Sequence, residues 1–267
     1  YVTACHAQGA YPLAYFPHNQ HFMAATATLE GNSAWALYAA EEVSENANKQ
    51  LIKEPGWGTL QHYYMIPLYV YVKFGKWDSI LSIDINREEL DYPRAILHYA
   101  RGMAFLGKGE LENARKEYVQ LTDLASKESL REITIWDINT VYDLVQIAEK
   151  VLGAEIAGVE GNYELGIELL EEGVEIEDNL NYNEPPDWFF SVRHNLGEMQ
   201  IAAGQYQEAV RTYKEDLERL PKNGWALKGM SKAYSHMGDA KSLEKIDSEF
   251  ASAWATADIT LSGSIVK

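Results

Sequence analysis

Cysteine is almost missing from this chain: Cys5 is alone in 267 residues. One thiol closes no internal disulfide and builds no multi-cysteine metal site, so neither staple holds the fold. Long apolar runs are missing as well. No window reaches the ~18 consecutive apolar residues of a membrane span, and a soluble chain without membrane insertion is expected. Basic residues are scarce beside acidic ones, 23 against 40, for a net charge of −17. That field repels nucleic-acid phosphates and anionic membranes and favours basic or cationic partners. Glu168, Glu171, Glu172, Glu175, Glu177 and Asp178 read as one solvated helix face. Catalytic signatures are absent too, with no phosphate loop, Gly-x-Ser-x-Gly elbow or His-Glu-x-x-His. Cys5 and His6 are too close in sequence to presume a nucleophile pair, so an enzyme is not the first expectation. The chain opens on Tyr1 without a methionine or a charged-then-apolar leader, which suggests a processed product or a piece of something longer.

What is present is periodic. Gly75 and Gly109 stand 34 residues apart, and so do Gly204 and Gly238. A period of that size marks an array of helix pairs, each burying its apolar face against its neighbours. Taking Gly31, Gly75, Gly109, Gly161, Gly204 and Gly238 as turns puts Ala24, Gly102, Ala154, Gly197 and Ser231 seven residues before them. Ala36, Ala114, Gly166 and Ala209 fall five residues after. Small residues at these places let two helices touch. The register predicts repeats at roughly 17–48, 61–92, 95–126, 147–178, 190–221 and 224–258. Insertions fall at 54–58, 127–139 and 179–186. Pro17 and Pro185–Pro186 are placed to open first helices, with Asp187 in a first turn where negative charge suits the helix dipole. Pro67 should kink its helix or mark a late start. A helix reaching Trp254 is expected to cap the stack, and the tail from Thr260 to fray. Residues 1–16 are aromatic and apolar, unlike a cap, which suggests repeats missing upstream.

Ala-Gly-Gln-Tyr-Gln-Glu-Ala at 203–209 and Leu-Gly-Lys-Gly-Glu-Leu-Glu-Asn-Ala at 106–114 resemble the tetratricopeptide repeat (TPR). The resemblance covers about Pro17 to Trp254. Tyr-Phe-Pro-His-Asn-Gln-His-Phe at 15–22 and Asn-Glu-Pro-Pro-Asp-Trp-Phe-Phe-Ser-Val-Arg-His-Asn-Leu-Gly at 183–197 look like a bacterial subgroup of longer TPR proteins. It implies an all-α, right-handed superhelical TPR-like solenoid of about six helix-turn-helix units with a C-terminal capping helix, one domain over 1–267. Bacterial cytoplasm or periplasm is the expected compartment. The groove would then be half of a larger one.

In such arrays a stripe spaced three, four and three residues along each first helix lines the concave groove. Here it carries His18 and His21; His62 and Tyr69; Tyr99; Glu155; His194 and Glu198; and Trp225, Lys228 and Lys232. His98 falls at a packing position and His236 off the stripe. Trp188, Phe189, Phe190 and Arg193 are expected to pack under the long linker more than to form a ligand cage. The first functional reading is a non-catalytic scaffold that binds a protein or peptide segment, with Tyr69, Tyr99 and Trp225 as anchors and no cofactor. The alternative is a histidine-lined groove for a small molecule or a metal, His18, His21 and His62 converging on zinc or copper. Held by Asn19, Tyr63 and main-chain carbonyls, the same rings would be ordinary polar groove residues.

Overall fold

The protein is described here from a computed structural model covering residues 15–83 and 89–266. Cys5, His6 and the stretch before Tyr15 lie outside the described residues.

Among the described residues the chain forms six consecutive helix pairs. They are α1 (Phe16–Leu29) with α2 (Ser33–Asn46), α3 (Gly58–Lys73) with the short α4 (Trp77–Ser82), and α5 (Asp91–Gly107) with α6 (Leu111–Ala125). Then follow α7 (Val141–Val159) with α8 (Tyr163–Asn179), α9 (Arg193–Ala202) with α10 (Tyr206–Arg219), and α11 (Gly224–Met237) with α12 (Ala240–Ala253). The chain reverses within each pair at Gly31, Gly75, Gly109, Gly161, Gly204 or Gly238, where φ lies between +64° and +80°. Only glycine takes that left-handed conformation without a Cβ penalty, which is why it recurs at every turn. Second helices pack on the next first helix, and α3, α5 and α7 also pack in succession. At the predicted crossings Ala24, Ala36, Ala114 and Ala154 are fully buried. No helix among the described residues is long and apolar enough to cross a membrane.

Local expectations fared unevenly. Pro17 lies in the first turn of α1, while α3 continues past Pro67 instead of starting at it. The insertion after α6 folds into a two-stranded hairpin, β1 (Thr134–Ile135) with β2 (Asn139–Thr140). Pro185, Pro186 and Asp187 do not open a helix; α9 begins only at Arg193. The carboxylate of Asp187 is engaged elsewhere, accepting from Asn139 Nδ2 at 2.7 Å and Asn183 Nδ2 at 2.8 Å, which ties the linker to the β-hairpin. On α8 the acidic face divides. Glu168, Glu171, Glu172 and Glu175 meet solvent. Glu177 instead accepts the Val192 N–H at 2.9 Å, and Asp178 takes a two-pronged bond from Arg193. Both lie in the last turn of α8, where α9 starts.

The expected fraying of the tail is overturned. Leu261 and Ser264 are buried, and the segment is hydrogen-bonded into the interior. The two ends of the array also meet. Asp258 caps the N-terminus of α2, accepting from Ser33 N at 2.7 Å and Ala34 N at 2.9 Å. Trp225 Nε1 donates to the Thr28 carbonyl at 2.8 Å, and Trp254 fills the space beside Gly31 and Gly224, where a Cβ would strike its ring.

Candidate functional site

A cavity of about 510 Å³ opens between α3, α5, α7 and α9. Its wall carries much of the predicted stripe: Tyr69 and Val72 from α3, Tyr99, Met103 and Leu106 from α5, Glu155 and Gly158 from α7, and Glu198 and Ala202 from α9. Trp188 meets Tyr69 and Tyr99 with ring centroids 5.5 and 5.6 Å apart, giving that wall a fixed aromatic surface. Glu155 accepts from Asn195 Nδ2 at 2.8 Å. The remaining side is made by Ile265 and Val266 of the tail.

Main-chain atoms hold the tail. Ser264 N–H donates to Glu198 Oε1 at 2.8 Å, and its carbonyl accepts from Lys73 Nζ at 3.2 Å. Its hydroxyl donates to the His194 carbonyl at 2.6 Å and meets the Tyr213 hydroxyl at 2.8 Å. Lys232 pairs with the other oxygen of Glu198 at 2.6 Å. Gly263 lies so close to Glu198 that a side chain there would collide with the carboxylate.

Beneath the tail runs a buried polar chain. Lys73 Nζ stands 2.8 Å from His194 Nδ1 and 3.9 Å above the Trp225 ring. His194 Nε2 faces Asp216 Oδ2 at 3.2 Å, and Asn223 Nδ2 reaches both at 2.8 Å. Lys73, His194 and Asp216 are 6%, 1% and 1% exposed. Burial brings the Lys73 amine down to about 7, against the pull of Asp216 and Glu198. Burial and then the neighbouring Lys73 lower the His194 imidazole as well.

The histidines predicted for the other end of the groove do not line this cavity. His62 is fully buried, its Nδ1 bonded to the Tyr92 hydroxyl at 2.8 Å. His21 stacks on Phe189 at 5.3 Å and meets the His62 ring edge-on at 5.5 Å. His18 turns to Phe22 and Trp136. The three rings therefore share one neighbourhood, and His18 Nδ1, His21 Nε2 and His62 Nε2 are buried without a hydrogen-bond partner. Among the described residues no three His, Cys, Asp or Glu side chains are arranged as a metal-binding group.

Burial brings His62 from its ordinary 6.5 to about 3, and burial, then His62 and His18, hold His21 well below 6.5. The unfolded chain takes up a proton at His62 near pH 6.5, whereas the folded chain resists until about 3. Stability from this group is full above 6.5 and is lost as pH falls towards 3. By about pH 4 the loss is roughly 3 kcal/mol. Urea midpoints measured down that window should fall more steeply for the wild type than for His62→Leu. Parallel curves would show that His62 is not held neutral.

Other predicted residues are placed as follows. Trp225 is completely buried and offers no face to a partner, because the first helix pair closes over it. Lys228 lies 5.2 Å over the Phe250 ring, away from the cavity. His98 Nδ1 meets Glu117 at 2.6 Å in a half-buried pair between α5 and α6, and His236 stacks on Tyr206 at 4.9 Å. Trp188 and Phe189 are buried in the core under the linker. Sequence reasoning missed Lys73, Asp216, Asn223 and Ser264. Lys73 had a signal: it is the one charge in α3 and ends that helix's apolar stretch 65–73, directly after Val72. No protein-family model and no curated protein matches this chain.

Proposed function

We propose that this chain is a peptide-binding scaffold, a TPR-like superhelical array whose groove takes an extended segment of a partner. The observation that carries the reading is the seat of residues 261–266. Ser264 is gripped through its own N–H and C=O by Glu198 and Lys73, a main-chain mode of recognition that suits an extended peptide. The aromatic cavity beside it is large enough for one or two side chains of a longer ligand. The partner segment would carry a small hydroxyl residue followed by β-branched residues, as Ser264-Ile265-Val266 does.

The test removes residues 260–267 and titrates the shortened protein with the synthetic peptide Leu-Ser-Gly-Ser-Ile-Val-Lys, reading tryptophan fluorescence. Saturable one-to-one binding is expected, weakened roughly 10–100-fold by Glu198→Ala, which removes a charged hydrogen-bond acceptor. A folded, shortened protein that does not bind the peptide would refute the scaffold reading.

A second reading, a zinc or copper site at His18, His21 and His62, is supported by the three unpartnered ring nitrogens. Calorimetric titration with zinc near neutral pH tests it. Heat that disappears in His21→Ala supports the site, and no heat from the wild type ends it.

A further inference from the structure

The geometry points to a covalent chemistry in this groove: Lys73 is a nucleophilic amine that captures an apolar aldehyde or ketone as an imine, with His194 carrying the proton. The inference is independent of peptide recognition and would stand if that reading failed.

Three observations carry it. First, the amine is buried in an apolar setting, over Trp225 at 3.9 Å and near Phe190 at 5.5 Å. Its hydrogen-bond partners are a ring nitrogen and the Ser264 carbonyl, not a carboxylate. Lysines are kept as buried amines at such sites because an ammonium is costly there. Second, Lys73 and His194 stand within hydrogen-bond reach as a nucleophile and a proton carrier, and the Asn223 amide, which donates to Asp216, orients the imidazole. The Asn223 amide resolves the tautomer. Its oxygen accepts the Trp225 N–H at 3.1 Å, so its NH₂ faces His194 Nε2 and Asp216 Oδ2. An Nε2 that accepts from Asn223 leaves the proton on Nδ1, where it donates to a neutral Lys73 amine. Third, Lys73 stands on the wall of the 510 Å³ aromatic cavity, which is of a size for a small apolar ligand.

The step balances without an added oxidant or reductant. The nitrogen lone pair attacks the carbonyl carbon while the C=O electrons move to oxygen, giving a carbinolamine. His194 gives its Nδ1 proton to that oxygen and takes one back from nitrogen at the same atom, and a second such exchange turns the hydroxyl into water, which leaves as the C=N bond forms. The charged groups facing the amine are His194, Glu198, Asp216 and, through Glu198, Lys232. Burial outweighs the two acids and leaves the amine titrating at about 7.

The experiment treats the intact chain with benzaldehyde and cyanoborohydride, which reduces the imine and fixes it, and maps the labelled lysines by peptide mass spectrometry. At neutral pH Lys73 should label at least about tenfold faster than surface lysines, the reference for a free lysine amine being ~10.4. Its labelling should rise through pH 7. Lys73→Met keeps the apolar stem at the position without a buried charge, and should lose this label alone. His194→Gln should slow labelling at Lys73 and flatten its pH dependence, an effect a merely structural histidine would not produce. Label spread over surface lysines with Lys73 untouched in the folded wild type would overturn the inference.

Discussion

Gly197→Leu lowers the melting temperature by roughly 6–12 °C. Gly197 lies in α9 where the ring of Tyr213 from α10 crosses it. A Cβ at Gly197 would stand 2.5 Å from Tyr213 Cε1 and 2.6 Å from its hydroxyl oxygen. The ring has nowhere to go. On its other side Gly229 of α11 presents the same close approach, and the hydroxyl is bonded to Ser264. Tyr213 is thus held between two glycines, fully buried. Forcing it aside costs about 3 kcal/mol, at the upper end of overpacking. Gly102→Leu should cost less, because its Cβ would meet the methyl ends of Leu152, which can rotate away. Equal melting temperatures for wild type and Gly197→Leu would mean that the α9–α10 contact is not as described.

Trp225→Ala is expected to cost about 3–5 kcal/mol, as for other buried large-to-small changes. The side chain has no exposed surface. It contacts Phe74 at 5.7 Å and Trp254 at 5.4 Å, lies under the Lys73 amine, and bonds to Thr28 in the first helix pair. Its loss leaves a cavity and also unfastens the two ends of the array. Asp258→Ala, which removes only the cap on α2, should cost about 1 kcal/mol. Urea unfolding of the two variants checks the order. A Trp225→Ala loss no larger than that of Asp258→Ala would show that the junction does not bear on stability.

Much of the helical framework was legible because its signals are local. A left-handed turn needs glycine whatever surrounds it, so Gly31, Gly75, Gly109, Gly161, Gly204 and Gly238 marked the reversals directly. The helical period likewise placed Tyr69, Tyr99, Glu155 and Glu198 on one side, and all four stand on the cavity wall. The same period misled at His62 and Trp225. Periodicity says which residues share a side, and not what later covers that side. Phe189, from the connection between α8 and α9, stacks on His21 beside His62. Trp225 is covered by the first helix pair, whose Thr28 is 197 residues away along the chain. Pro185 and Pro186 misled for a related reason: their neighbour Asp187 is held by Asn139, from an earlier linker.

The sequence by itself determined the helix pairs, the glycine at each reversal, most of the small residues at the crossings and, on α3, α5, α7 and α9, residues of the side that lines the cavity. Each follows from interactions spanning one or two helical turns, which the order of residues encodes directly. Only the tertiary structure decided that the ends meet, that residues 261–266 close one side of the cavity, and that Lys73 meets His194, which faces Asp216. Lys73 and Ser264 are separated by 191 residues, and Lys73 and His194 by 121. Burial and the charge state of an amine depend on neighbours at such separations, and no spacing along the chain records them.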